Sequence, residues 1–123
     1  MENKDAIHLS QTLRTFTGTV NWYRHQLFRQ FTYTDGIQFL ATEAQCYWLI
    51  DRIFALQYEQ PAVKIEPFQV WELTVNPDQT AMLTCGNGND DTVYSEHISY
   101  TDFKLPKIRL FLTDSVLLLP TEY

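Results

Sequence analysis

A chain of 123 residues that is 45% hydrophobic and 15% aromatic has ample material for one packed domain and lies far from the composition of disordered polymers. Its net charge of −6, from nine scattered Lys and Arg against 15 Asp and Glu, argues against nucleic acid or an anionic membrane surface as partner, because phosphate capture needs clustered cations. No apolar run nears the roughly 18 residues of a membrane span, and Met1 to Asp5 carries no apolar signal segment, so a cytoplasmic protein is expected.

In chain order, Ala6, Leu9, Leu13 and Phe16 fall at helical spacing, with Asn3 as N-cap and Asp5 in the first turn, which predicts a short N-terminal helix ending by Gly18. From Thr19 to Thr34 the run is rich in aromatic and β-branched residues. Tyr23, His25, Leu27, Arg29, Phe31 and Tyr33 share one strand parity, while Val20, Tyr23, Leu27 and Phe31 also fit a helix. The scarcity of good helix formers favours a strand. Asp35-Gly36 breaks it, and Asp35 with Gln38 reads as a variant capping box for one long apolar helix, Ile37 to Leu56. The face formed by Ile37, Leu40, Ala44, Tyr47, Trp48 and Phe54 is widened by Phe39, Cys46, Ile50 and Ile53, which implies burial on more than one side and makes Trp48 a core residue.

Residues 57–66 form a polar connector containing Pro61; after Pro67 the period drops to two. Trp71, Leu73 and Val75 alternate with polar residues, Asn76 to Gln79 turns the chain, and Ala81, Leu83 and Cys85 alternate again, which describes a hairpin. Residues 86–91 turn into a strand from Thr92 to Tyr100. Ile108, Leu110 and Leu112 mark another, and Thr113 to Ser115 turns into Val116 to Leu119. The expected architecture is a single α+β domain over residues 1–123: an antiparallel β-meander packed against one long apolar helix, plus the short N-terminal helix.

Several short motifs recur in a specific order. Phe16-Thr17-Gly18-Thr19, Tyr23-Arg24-His25, Tyr33-Thr34-Asp35-Gly36, Tyr47-Trp48-Leu49 with Asp51, Leu83-Thr84-Cys85 with Gly88-Asn89, Tyr100-Thr101-Asp102-Phe103 and the ending Leu117 to Tyr123 span nearly the whole chain. Together they resemble an uncharacterised family of small bacterial proteins. The resemblance implies a self-contained bacterial domain and transfers no catalytic residue.

Chemistry must therefore be weighed residue by residue. Tyr-Thr-Asp occurs at 33–35 and 100–102, and is read as two similar turns whose Thr and Asp side chains bond nearby amides. His8, His25 and His97 lie outside any metal-ligand spacing. Cys46 and Cys85 are expected to be reduced, buried thiols, and pairing of Cys85 with His97 lacks an orienting third group. The stretch from Asn87 to Asp91 offers oxygen ligands but not the spacing of a Ca²⁺ loop, so a hairpin turn is expected there. Asp51 is expected against the core, paired with Arg52, Arg24 or Arg29. No cofactor or metal is expected.

Two functional classes follow. The first is a non-catalytic binding or protein-interaction domain, with a protein partner or a homodimer. Trp22, Tyr23, Phe28, Phe31, Trp71 and Tyr94 cannot all share one inner face, and exposed aromatics mark contacts. Because few charges blunt the strand edges at Val116 to Leu119 and in the 19–34 segment, a two-fold dimer is also expected. The second is a small-molecule-binding enzyme or hydrolase using His25 with Asp35 or Asp102, which requires those groups to meet in a pocket.

Overall fold

The computed structural model describes residues 4–123, so the N-cap assigned to Asn3 lies outside the described residues. The elements in order are α1 (Lys4–Leu13), β1 (Trp22–Arg24), β2 (Thr32–Thr34), α2 (Asp35–Glu43), α3 (Tyr47–Glu59), α4 (Pro61–Lys64), β3 (Phe68–Val75), β4 (Ala81–Gly86), β5 (Thr92–Ile98), β6 (Lys107–Thr113), β7 (Val116–Leu118) and a 3-10 turn, Pro120–Glu122. The α+β class is as expected. Among the described residues no helix is long and apolar enough to cross a membrane.

All strands join one sheet in the order β1-β2-β7-β6-β3-β4-β5. β3, β4 and β5 form the expected meander, with Trp71 opposite Cys85 and Leu83 opposite Glu96. β6 crosses back to pair with the far side of β3, placing Leu110 opposite Trp71, and β2 runs parallel to β7. The period-two pattern sets which face is buried. Trp71, Leu73, Leu83, Cys85, Leu110 and Leu112 point into the core beneath the helices, whereas their neighbours Glu72, Met82 and Arg109 face outward.

The long helix predicted over Ile37 to Leu56 is two helices. Gln45 adopts a left-handed φ of 53°, Ala44 N–H donates to Leu40 O at 2.9 Å and Cys46 N–H to Ala41 O at 3.0 Å. That is a Schellman-type stop with Gln where Gly is usual. The wide apolar face thereby resolves into two narrower ones: Ile37, Leu40 and Ala41 on α2, and Leu49, Ile50, Ile53 and Phe54 on α3, all buried. Restarting the helix after Cys46 leaves Trp48 only half-buried and Tyr47 exposed, so Trp48 is not the core anchor that a continuous helix would make it. Trp71 takes that part.

The 19–34 segment is likewise not one strand. β1 and β2 pair antiparallel, with Tyr23 opposite Tyr33, around a compact loop closed by His25 N–H to Phe31 O and Phe31 N–H to Phe28 O, both 3.0 Å. Phe31 stacks on Phe54 of α3 with centroids 4.9 Å apart, and Phe28 stacks on Tyr58 at 5.3 Å. These rings seat the loop on the helix. Of the six aromatic residues expected to exceed one core, only Trp22 is exposed: Phe31 and Trp71 are buried, and Tyr23, Phe28 and Tyr94 are half-buried.

A buried polar network ties the helices to the sheet. The Gln57 and Gln69 amides bond reciprocally at 2.8 and 2.9 Å, Gln69 also donates to Val63 O, and Trp71 Nε1 donates to Gln69 Oε1 at 2.9 Å. Every buried side-chain polar atom among the described residues has a partner, so this network stabilises without the cost of an orphaned group. At the sheet edge Arg52 chelates Glu96, with Nη2 to Oε1 at 2.7 Å, and reaches Glu59 as well. Substituting Trp71→Ala should cost about 3–5 kcal/mol of unfolding free energy, since a large buried ring is lost. Trp48→Ala should cost distinctly less. Equal losses in a urea titration of the two variants would contradict this assignment of the core.

Candidate functional site

His25 sits at the end of β1 with its ring packed between Phe28 and Phe54, at centroid distances of 5.2 and 5.4 Å. Leu27 N–H and Phe28 N–H both donate to its Nδ1, at 3.1 and 3.0 Å. Nδ1 therefore holds the lone pair and Nε2 the proton, which is directed at Asp51 Oδ1, 2.7 Å away. The expected partners Asp35 and Asp102 do not reach it. Asp51, placed against the core and beside arginine by sequence reasoning, instead has a side chain 62% exposed and takes His25. It lies outward because Ile50 and Ile53 occupy the buried face of α3. Arg52 is drawn to Glu96 and Glu59.

This pair stands in a cleft of about 630 Å³ lined by the apolar and aromatic side chains of Tyr23, Tyr33, Tyr47, Leu27, Phe28 and Ile50, together with polar Arg24, Gln26 and Asp51. Leu27 and Tyr47 are exposed. Tyr23 and Tyr33 stack with centroids 5.6 Å apart, and burial raises the Tyr33 hydroxyl above its ordinary pKa. Tyr47 Oη bonds Gln38 and Thr42. An Arg24 N–H donates to Arg29 O, which holds that guanidinium over the loop.

Asp35 is the first residue of α2 and does not cap it through Gln38. The N-cap is Thr34, whose Oγ1 accepts Ile37 N–H at 3.3 Å. The Asp35 carboxylate reaches the other way, accepting Val20 N–H at 2.9 Å, Asn21 N–H and Nδ2–H at 3.2 Å, and Tyr23 O–H at 3.0 Å. Those donors, Val20 N–H first, hold its pKa down to about 2 from 3.8. Glu122 serves the same helix end: it accepts from Thr34 Oγ1 at 2.6 Å, Gly36 N–H at 3.1 Å and Leu119 N–H at 2.9 Å. A Cβ on Gly36 would stand 2.6 Å from both Glu122 Oε1 and a Leu119 methyl, so glycine is needed for the approach.

The remaining candidates are scattered. In the second Tyr-Thr-Asp corner Thr101 Oγ1 accepts Phe103 N–H at 3.1 Å in a local turn with no helix to cap, and Asp102 is exposed. Cys85 and His97 lie on opposite faces of the sheet by the register of β4 with β5. Burial pushes the Cys46 and Cys85 thiols up to about 12. His8 and His97 are exposed. At the turn, Asn87 Oδ1 accepts Asn89 N–H and Asn87 N–H donates to Asp91 O; among the described residues no three His, Cys, Asp or Glu gather as metal ligands would. Sequence reasoning missed Glu122 and the pairing of His25 with Asp51. Both depend on contacts between residues far apart in the chain, although Glu122 lay within one of the short motifs.

A family model described as a family of unknown function, DUF6876, matches residues 7–123. Neither a curated protein nor a solved structure matches the chain.

Because Asp35 is ionised in the fold down to about pH 2 but only to about 3.8 when unfolded, the stability it adds is complete above pH 3.8 and is lost as pH falls through 2. The Asp35→Asn variant should be less stable at neutral pH and show a shallower loss between pH 4 and 2, followed by chemical denaturation at each pH. Identical acid limbs would show that the charge is idle. Gly36→Ala should cost about 1–3 kcal/mol by overpacking against Leu119 and Glu122, seen as a lower denaturation midpoint; an unchanged midpoint would show that the 3-10 turn yields freely.

Proposed function

The chain belongs to that family of unknown function, and we propose that it is a non-catalytic binding domain that receives an apolar or aromatic side chain of a partner protein in the cleft beside His25 and Asp51. The observation that carries this reading is the division of labour in the cleft. Its acid–base group is already committed, since two backbone amides occupy His25 Nδ1 and Asp51 takes Nε2–H, leaving no ring lone pair to accept a proton from a substrate. Its apolar groups are open: Leu27 is 75% exposed and Tyr47 43%. Aromatic rings rimmed by a few charges are the composition of a contact hot spot, and a volume of about 630 Å³ suits a large side chain.

The test is photo-crosslinking in cells of origin with a benzophenone amino acid at Leu27, and at exposed Ser95 as the control face. A discrete adduct is expected from position 27 only, and it should vanish when Tyr47→Asp is added. An adduct at twice the chain mass would identify the partner as a second copy. Equal adducts from both positions, or a turnover activity abolished by His25→Ala, would overturn the proposal.

A further inference from the structure

A second cleft, of about 350 Å³, opens between the C-terminal end of α1, the start of β6 and the 3-10 turn. Its origin is topological. β7 pairs only with Phe111, Leu112 and Thr113 of β6, so the edge of β6 at Lys107 to Arg109 has no strand beside it. Val75 N–H donates to Pro106 O at 2.8 Å, and by antiparallel alternation Ile108 and Leu110 bond β3 while the backbone groups of Lys107 and Arg109 face the open edge. Leu13, Leu105 and Leu119, all buried, supply an apolar floor.

The rim is cationic. Arg14, Lys107 and Arg109 line the cleft with Glu72 as the single carboxylate, so three of the chain's nine basic residues meet here in a protein of net charge −6. Glu72 serves two of them, Lys107 at 3.5 Å and Arg109 at 3.0 Å. Among the described residues Arg14 has no ion-pair partner. An apolar cavity with an excess of positive charge and unpaired strand amides is complementary to one kind of small ligand.

We propose that this cleft binds a small free amphipathic carboxylate, its apolar body on Leu13, Leu105 and Leu119 and its carboxylate between Arg14 and Arg109 at the open edge of β6. A neutral apolar molecule would leave Arg14 unanswered. A compact polar anion would forgo the leucine floor, and an amphipathic cation would meet like charge.

Octanoate is the probe, titrated calorimetrically into the full chain, with octyltrimethylammonium as the control. Octanoate is expected to bind with Kd on the order of 100 μM, in keeping with a ligand of its size. Arg14→Gln and Arg109→Gln should each weaken it about tenfold, as loss of a charge-assisted hydrogen bond does, and the Arg14 variant, which breaks no ion pair, should keep the thermal midpoint of the parent. Tyr47→Asp, in the other cleft, should leave the affinity as it is. The proposal is overturned if octanoate gives no saturable binding to millimolar levels, if both arginine variants bind like the parent, if the cation binds equally well, or if only a peptide ending in a free leucine carboxylate binds, which would make the edge a strand-addition site.

Discussion

The N-terminus of α2 is the junction on which the rest of the molecule depends. Two carboxylates meet there, one from the helix's own first residue and one from the 3-10 turn near residue 122. Asp35 turns back to hold Val20, Asn21 and Tyr23, and Glu122 reaches in from the 3-10 turn to Thr34 and Gly36. Negative charge at a helix N-terminus is favoured by the dipole and by its orphan N–H groups. Each residue of the tetrapeptide 33–36 does something different: Tyr33 walls the cleft, Thr34 caps, Asp35 ties down the preceding loop, and Gly36 makes room for Glu122.

The His25 cleft is a by-product of that junction. Asp35 positions Tyr23 through its hydroxyl, Tyr23 stacks on Tyr33, and the loop between the two strands is folded over α3 by its own aromatic side chains. His25 then completes the loop by accepting two of its amides, much as an Asx side chain closes a turn. Its half-buried ring is held by aromatic packing and its exposed partner Asp51, so the imidazole works as a structural connector between loop and helix.

What the sequence conveyed well was the local pattern. The hairpin of β3 and β4, the turns at 76–79 and 86–91 and the turn at 113–115 carry alternation and turn residues that act over a few positions. The helix break at Gln45 was unreadable because Ala44, Gln45 and Cys46 include no glycine or proline, and nothing local announces a glutamine at positive φ. The same limit applied to the 19–34 segment, whose parity fits a long strand while Phe28 and Phe31 are pulled out of it by rings on α3. Site residues failed for a related reason: the partner of His25 is 26 positions away and that of Gly36 is 86 away. Only three-dimensional packing selects Asp51 over Asp35 or Asp102, since nothing local to any of the three acids points to His25.

The parallel pairing of β2 with β7 joins Thr32 to Val116 and Tyr33 to Leu117, while β6 returns from beyond β5 to lie against β3. Between them these pairings make the sheet's centre its last part to be synthesised. A ribosome that has released residues 1–100 has delivered both flanks, β1 with β2 and β3 through β5, but not the two strands that bridge them. Contacts of such long sequence separation fold slowly, because the loop must close before the pairing returns any free energy. Until that closure, β2 and β3 each present an unpaired edge with apolar side chains behind it, which is the state most prone to wrong association. The strand order itself therefore makes the central pairings of highest sequence separation the last to become available.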